Sequence, residues 1–278
     1  MKRIVTMQDI SCVGKCSLTV ALPVLSAMGV ETAVIPTAVL SAHSVFPDFT
    51  FRDLTEELLP IARHWNSQGL RFDAAYTGYL GSREQIDVVC AVLDTVATPE
   101  TLIFVDPAMA DQGRLYAGFD LAFARKMAEL CRRADYIDPN VTEACFLTDT
   151  PYRTEYDEAY LDLLLDRLRD ICPGTVVLTG VRLREGKTGV VSVMPSGERS
   201  AYFHDTVPGQ FHGTGDVFSS AVVGALMRGL GLDAALRLAA DFTYACIQAT
   251  VNDPDARWYG VSFEAALPDL IRNLSSFT

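Results

Sequence analysis

Gly213-Thr214-Gly215-Asp216-Val217-Phe218-Ser219-Ser220-Ala221-Val222-Val223-Gly224-Ala225-Leu226-Met227 is a sharp turn feeding an apolar run of helical length. Two glycines let the backbone turn tightly and approach a ligand closely. The run that follows predicts a helix over Val217–Arg228. The first amides of a helix are unpaired and carry partial positive charge, so they suit a phosphate or a developing anion. An acid beside such a turn makes sense if its carboxylate takes a proton from an attacking alcohol. Asp216 is then a general base, and Gly213, Thr214 and Gly215 form the turn that stabilises transferred phosphoryl charge. The plainer alternative is an ordinary helix start, with Thr214 or Asp216 as N-cap. The stretch is neither a Walker A sequence nor a G-x-G-x-x-G fingerprint, since it lacks the Lys and the spacing.

Working outward, short apolar runs alternate with helical patterns along the chain. The runs Ile4–Met7, Thr32–Pro36, Ala74–Thr77, Leu102–Val105, Tyr136–Ile137, Thr175–Thr179, Gly189–Val193 and Ala201–His204 read as strands. Helical patterns cover Ser17–Met28, Leu54–Trp65, Glu84–Val96, Leu121–Arg133, Val141–Leu147, Glu155–Ile171, Val217–Arg228, Asp233–Val251 and Phe263–Leu274. This alternation predicts an α/β three-layer sandwich, with a central, mainly parallel sheet and helices on both faces. No linker or repeat interrupts it, so residues 1–278 read as one domain. Ligands of such sheets bind beyond the carboxyl ends of the strands.

Candidate chemistry sits at those ends. Asp106-Pro107 follows the run Leu102–Val105, and Asp138-Pro-Asn-Val-Thr-Glu143 follows Tyr136–Ile137. Asp106, Asn140 and Glu143 are hard oxygen donors of the kind that suits Mg²⁺ among phosphates. The alternatives are a turn residue before Pro for Asp106 and a capping pair for Asn140 and Glu143. Gly78-Tyr-Leu-Gly81 and Ser41-Ala-His-Ser44 also lie after strands.

The chain has 278 residues, 49% of them hydrophobic, and a net charge of −12. The acidic balance shows none of the basic face that phosphate contacts require of a nucleic-acid binder. Seven cysteines, with no C-x-x-C pair, argue against a disulfide framework or a structural zinc. No stretch reaches the roughly 18 apolar residues of a membrane span. A signal segment is also lacking, so a cytoplasmic protein is expected. His64, His204 and His212 have no metal-like partners at helical spacing, and Cys12 and Cys16 have no evident activating base. The segment Asp253–Trp258 reads as a loop without an assigned role.

Taken together, these segments resemble the ribokinase superfamily and, within it, the pyridoxal kinases. The resemblance runs in order through Met7-Gln-Asp9 with Gly14 beyond, Ser41–Ser44, Thr77-Gly-Tyr-Leu-Gly-Ser82, Val105-Asp-Pro-Ala-Met109, Asp138–Glu143, Val176–Thr179 and Gly213–Asp216. It implies ATP-dependent phosphorylation of the 5′-hydroxymethyl group of a vitamin B6 vitamer, with Mg²⁺ and, in many members, a monovalent cation such as K⁺. A homodimer is also implied. Residue by residue, it makes Asp216 the base and the Gly213–Gly215 backbone the anion hole. Asp106, Asp111 and Glu143 become acids around metal and phosphates. Asn140, Thr179 and the segment Val207, Pro208 and Gly209 lie on the nucleotide side. Asp9, His43, Ser44 and Tyr79 hold the pyridine ring, and Tyr116 belongs to a mobile covering loop, Asp111–Tyr116.

The chain departs from that pattern at Asp9, where many pyridoxal kinases carry Ser, and at Val39, where relatives often carry Gln. Asp9 would favour a protonated ring nitrogen or an amine, or else cap a local turn. A hydroxymethylpyrimidine kinase is the nearest alternative. In that branch the base position is commonly Cys, whereas it is Asp216 here. A non-catalytic B6-binding protein is the other, against which the intact turn and Asp216 argue.

Overall fold

A computed structural model describes residues 1–276. Nine strands form one sheet. In chain order they are β1 (Arg3–Ser11), β2 (Glu31–Leu40), β3 (Phe51–Asp53), β4 (Ala74–Thr77), β5 (Leu102–Val105), β8 (Tyr136–Ile137), β9 (Thr175–Val181), β10 (Lys187–Val193) and β11 (Arg199–Asp205). A separate two-stranded ribbon pairs β6 (Ala110–Asp111) with β7 (Arg114–Leu115). The helices are α1 (Leu18–Ala27), α2 (Thr55–Ser67), α3 (Arg83–Val96), α4 (Leu121–Cys131), α5 (Val141–Leu147), α6 (Glu158–Ile171), α7 (Thr214–Met227), α8 (Leu232–Val251) and α9 (Phe263–Ser275).

The sheet order is β11-β10-β9-β8-β5-β4-β1-β2-β3. The six strands from β9 to β2 pair in parallel, and the edges β10, β11 and β3 run antiparallel. The expected three-layer α/β sandwich is therefore found. Alternation along the strands explains how it is held. Val5, Met7, Ala75, Val105 and Ile137 face a core shared with α2 to α6. Ile4, Ala74, Tyr76 and Phe104 face the opposite core, shared with α1, α7, α8 and α9. Successive side chains of a strand point to opposite faces, so each short apolar run supplies both cores.

Two elements depart from expectation. β3, which pairs Asp53 with Ala38, has no counterpart among the expected strands. At three residues it is too short to show a period of two. The stretch Asp111–Tyr116, expected as a mobile cover, is built on a hairpin. Its turn residues Gln112 and Gly113 both have positive φ, +50° and +77°.

Candidate active site

β1 has β2 on one side and β4 on the other, so the chain switches direction across the sheet at β1. Such a crevice opens at the carboxyl ends of parallel strands. Asp9 stands at the end of β1, at the irregularity between Gln8 and Ile10 in its pairing with β2. Bulges of this kind re-aim side chains. Thr77 closes β4, and Asp106 and Asp138 follow β5 and β8. The last two are equivalent positions on adjacent strands, since Phe104 pairs with Tyr136 and Val105 with Ile137.

The turn before α7 returns to this edge. Gly213, at φ +79°, precedes the helix, and Asp216 lies in its first turn. Thr214 is not the N-cap by its side chain; its hydroxyl donates to the Phe211 carbonyl at 3.2 Å. The backbones of Ser17 and of Asp216 itself favour the ionised form of the Asp216 carboxyl. Burial, with Asp9 adding like charge, pushes it up to about 7. The Ser11 hydroxyl donates to Asp9 Oδ2 at 2.9 Å, and the Ser17 side chain also favours the Asp9 carboxylate, but burial outweighs both and raises Asp9 above the usual carboxylate range. Ser17 thus lies beside both acids. It was missed in the sequence, where nothing local distinguishes it.

Ser219 was missed for the same reason. It lies on α7 one turn beyond Asp216, and its buried hydroxyl contacts Asp138, lies 3.4 Å from Asp106 and is 3.0 Å from the Gly215 carbonyl. Burial pushes Asp106 up to about 8, with Asp216 adding to the rise. It also raises Asp138 and Glu143, each of which feels the charge of Asp106. Asp138 did carry a signal, because Asp-Pro recurs at the ends of two neighbouring strands.

The capping reading of Asn140 and Glu143 is realised. Asn140 Oδ1 accepts from the Glu143 amide at 3.0 Å, and Glu143 Oε2 accepts from the Asn140 amide at 2.8 Å. Glu143 Oε1 accepts from Met109 at 3.0 Å, and Asn140 Nδ2 donates to the Ala110 carbonyl at 2.8 Å. These bonds fasten the β6–β7 ribbon to α5. The Gly113 amide adds a bond to Thr142 Oγ1 at 3.0 Å. Asn140 is therefore the N-cap of α5, and its side chain is committed to structure.

Asp216 raises the proton affinity of Asp106, and Asp106 raises that of Asp138 and Glu143, so these carboxyls form a natural place for a cation. Asp138 Oδ1 is buried without a hydrogen-bond partner, as are Gln8 Oε1 on β1 and Thr77 Oγ1 on β4. Unpaired buried polar atoms are uncommon and call for a water, ion or ligand. Among the described residues no three His, Cys, Asp or Glu side chains converge as a complete metal cage. Mg²⁺ does not need one, because it keeps waters and takes phosphate oxygens alongside one or two carboxylates. The residues present fit such an ion.

The other expected positions divide between two sides. Thr179 bridges to Asn140 across the end of the sheet, and its amide donates to the Pro139 carbonyl at 2.9 Å. Between β11 and Phe211, Val207 is half-buried and Pro208 and Gly209 are exposed. Asp111 is exposed on the ribbon, where its carboxylate accepts from the Gln112 amide. Tyr116 is 41% exposed, and the carboxylates of Glu143 and Asp106 help burial to raise its hydroxyl. On the opposite side, burial and then Asp9 push Tyr79 up to about 12, while its ring stacks on Phe119 with centroids 5.6 Å apart. His43 lies 5.5 Å from His212, ring to ring, and burial together with that neighbour lowers it to about 4. Ser44 is exposed beside it.

The model of the phosphomethylpyrimidine kinase family matches residues 21–256. The chain belongs to that family. A crystal structure from Bacteroides thetaiotaomicron, described as a phosphomethylpyrimidine kinase and solved with pyridoxal, is 38% identical. The match covers 97% of this chain and 95% of that one, with a TM-score of 0.92. Pyridoxal kinase from Lactobacillus plantarum is 32% identical over 98% of this chain and 97% of its own, with a TM-score of 0.89. Among curated proteins, pyridoxal kinase PdxY of Rubrobacter xylanophilus is 27% identical, the match covering 90% of this chain and 88% of that one.

Proposed function

We propose that this family member is an ATP-dependent pyridoxal kinase, phosphorylating the 5′-hydroxymethyl group of a B6 vitamer. The observation that carries the reading is Asp216 in the first turn of α7, beside a turn whose leading amides are free for an anion. Two relatives named as pyridoxal kinases and a third solved with pyridoxal support the choice of acceptor.

Asp216 takes the proton of the acceptor hydroxyl as that oxygen bonds to the γ-phosphorus, and the bond from phosphorus to the bridging oxygen of ADP breaks. A base held near 7 matches this task at neutral pH. The amides of the Gly213–Gly215 turn and the positive end of α7 face the charge carried by the transferred group. Asp106 and Asp138 would hold Mg²⁺, with Glu143 acting through water because its oxygens already serve backbone amides. The ion would neutralise phosphate charge. Thr179 and Val207–Gly209 flank the nucleotide side. Asp9, His43, Ser44 and Tyr79 line the acceptor side, which Tyr116 borders. A homodimer, a monovalent cation and a cytoplasmic setting accompany this reading by resemblance to the family. No helix of the described residues is long and apolar enough to cross a membrane.

The test is ATP consumption, with product identification, across pyridoxal, pyridoxine, pyridoxamine and hydroxymethylpyrimidine. Turnover of the vitamers is expected. Turnover of hydroxymethylpyrimidine alone would replace the reading with the pyrimidine kinase suggested by the family's own description.

A further inference from the structure

The segment Asp253–Trp258, without a role in the sequence, returns to the acceptor side of the site. Trp258 is 62% exposed, and neither hydrophobic core includes it, Phe46 or Tyr259. These three rings pack on one another instead. Phe46 lies 4.6 Å from Trp258 and 5.3 Å from Tyr259, centroid to centroid, and Trp258 meets Tyr259 edge-on at 5.9 Å. The cluster joins two loops that are far apart in the chain, one between β2 and β3 and the other between α8 and α9.

Each loop is also tied to the reacting end of the site. In the first, the His43 amide donates to the Val13 carbonyl at 2.8 Å, and the Phe46 amide donates to the His43 carbonyl at 2.9 Å. In the second, the Val261 amide donates to the carbonyl of His212, the residue before Gly213, at 3.2 Å. Gly260 packs so closely on Lys15 that a Cβ there would meet the Lys15 Cβ at 2.4 Å. Phe46 and Trp258 therefore connect the loop that bears His43 and Ser44 to the loop anchored at the Gly213 turn. A tryptophan this exposed contributes little by burial, whereas an aromatic pair fixes the relative position of the backbones that carry it.

The geometry points to Trp258 as a positioning residue for the acceptor. Acting through Phe46, it holds the His43–Ser44 loop against His212 and the phosphoryl-transfer turn, and so sets the width of the slot an aromatic acceptor enters. Its ring contacts run to Phe46 and Tyr259. The inference rests on the kinase reading above in taking this side of the crevice as the acceptor side.

Steady-state kinetics with the full chain test it, using Trp258→Ala, Phe46→Ala, the double variant and Trp258→Phe. Trp258→Ala should raise KM for the acceptor about tenfold, while KM for ATP and kcat stay within about twofold. Trp258→Phe should restore most of the loss. The double variant should be no worse than the poorer single one, since both remove the same contact. A proportional rise in both KM values, an unchanged acceptor KM or additive effects in the double variant would overturn the proposal. The acceptor used is whichever ring compound the wild type phosphorylates. If that is a pyrimidine and no vitamer, the B6 reading falls while the positioning role is still decided by the same ratios.

Discussion

An ideal Cβ placed on Gly213 would stand 1.9 Å from the carbonyl oxygen of Lys15. The loop after β1 thus lies directly on the turn before α7, and Ser17, two residues beyond Lys15, sits beside Asp216, three residues beyond Gly213, where its backbone favours the carboxylate. Gly213 is required twice, once for φ +79° and once for this approach. Gly213→Ala should therefore lower stability by more than the roughly 1–2 kcal/mol of a left-handed backbone alone. It should also weaken ATP turnover by displacing the turn. Thermal melting and kinetics check this; an unperturbed melt with full activity would contradict the contact.

Asp216 should govern the acid limb of the pH profile. Held at about 7, it is protonated below that pH and unable to act as a base, so kcat/KM should rise with pH through this region. Asp216→Asn should remove the limb and lower kcat by roughly 10²–10⁴-fold with nucleotide binding retained. The linked effect on stability has the opposite sense. Carboxyls raised on folding stabilise the protein below their ordinary value near 3.8, and this is lost as pH rises through about 7 for Asp216 and about 8 for Asp106. The protein without ligands should melt lower at pH 8.5 than at pH 5, and Asp106→Asn should flatten the difference.

Ser219→Ala should be more damaging than a lost hydroxyl on a surface helix. The single hydroxyl proton of Ser219 is directed at the buried Asp138, its closest acceptor, with Asp106 and the Gly215 carbonyl also within 3.4 Å and 3.0 Å. Removing it leaves a second buried oxygen of Asp138 without a partner. Apparent Mg²⁺ affinity and kcat should fall while KM for the acceptor holds. Titrating Mg²⁺ at saturating ATP and acceptor reads this directly, and equal activation curves for both proteins would refute it.

Glu143→Gln separates the cap from the cation. The Glu143 carboxylate accepts from Asn140, Met109 and, more weakly at 3.5 Å, Ala110; an amide side chain has only one acceptor oxygen and cannot serve both ends. The variant should melt lower, by about 1–3 kcal/mol of stability, because a buried backbone amide loses its partner. Its turnover should need more Mg²⁺. A drop in stability with an unchanged Mg²⁺ requirement would leave Glu143 as a cap only.

Asp9→Ser should reorder the vitamers. A carboxylate only accepts, so it favours a protonated ring nitrogen or an ammonium over a neutral acceptor nitrogen. A charge-assisted bond worth roughly 1.5–3 kcal/mol changes relative kcat/KM about tenfold or more. Asp9 also contributes to the raised value of Asp216, so the acid limb of the pH profile should shift downward in the same variant. If all three vitamers lose kcat/KM by one common factor, Asp9 supports the base without selecting the substrate.

What the sequence determined by itself is local in origin. Apolar runs ending in Asp-Pro or Thr-Gly placed β4, β5 and β8 at their observed bounds, because a short buried strand and the turn that stops it are written in adjacent residues. The turn at Gly213 and the acid in the helix after it were legible for the same reason, as was the pairing of Asn140 with Glu143, although cap and ligand could not be told apart there. Tertiary structure alone decided what required distant residues to meet. Ser219 reaches Asp138 across 81 positions, and Ser17 comes to lie beside both Asp9 and Asp216 from a turn with no distinguishing pattern. The three residues of β3 become a strand only because β2 offers an open edge, and the β6–β7 ribbon is fixed by bonds to α5 rather than by its own composition. Trp258 belongs with these: its place beside Phe46 depends on two loops more than two hundred residues apart being drawn to the same end of the sheet.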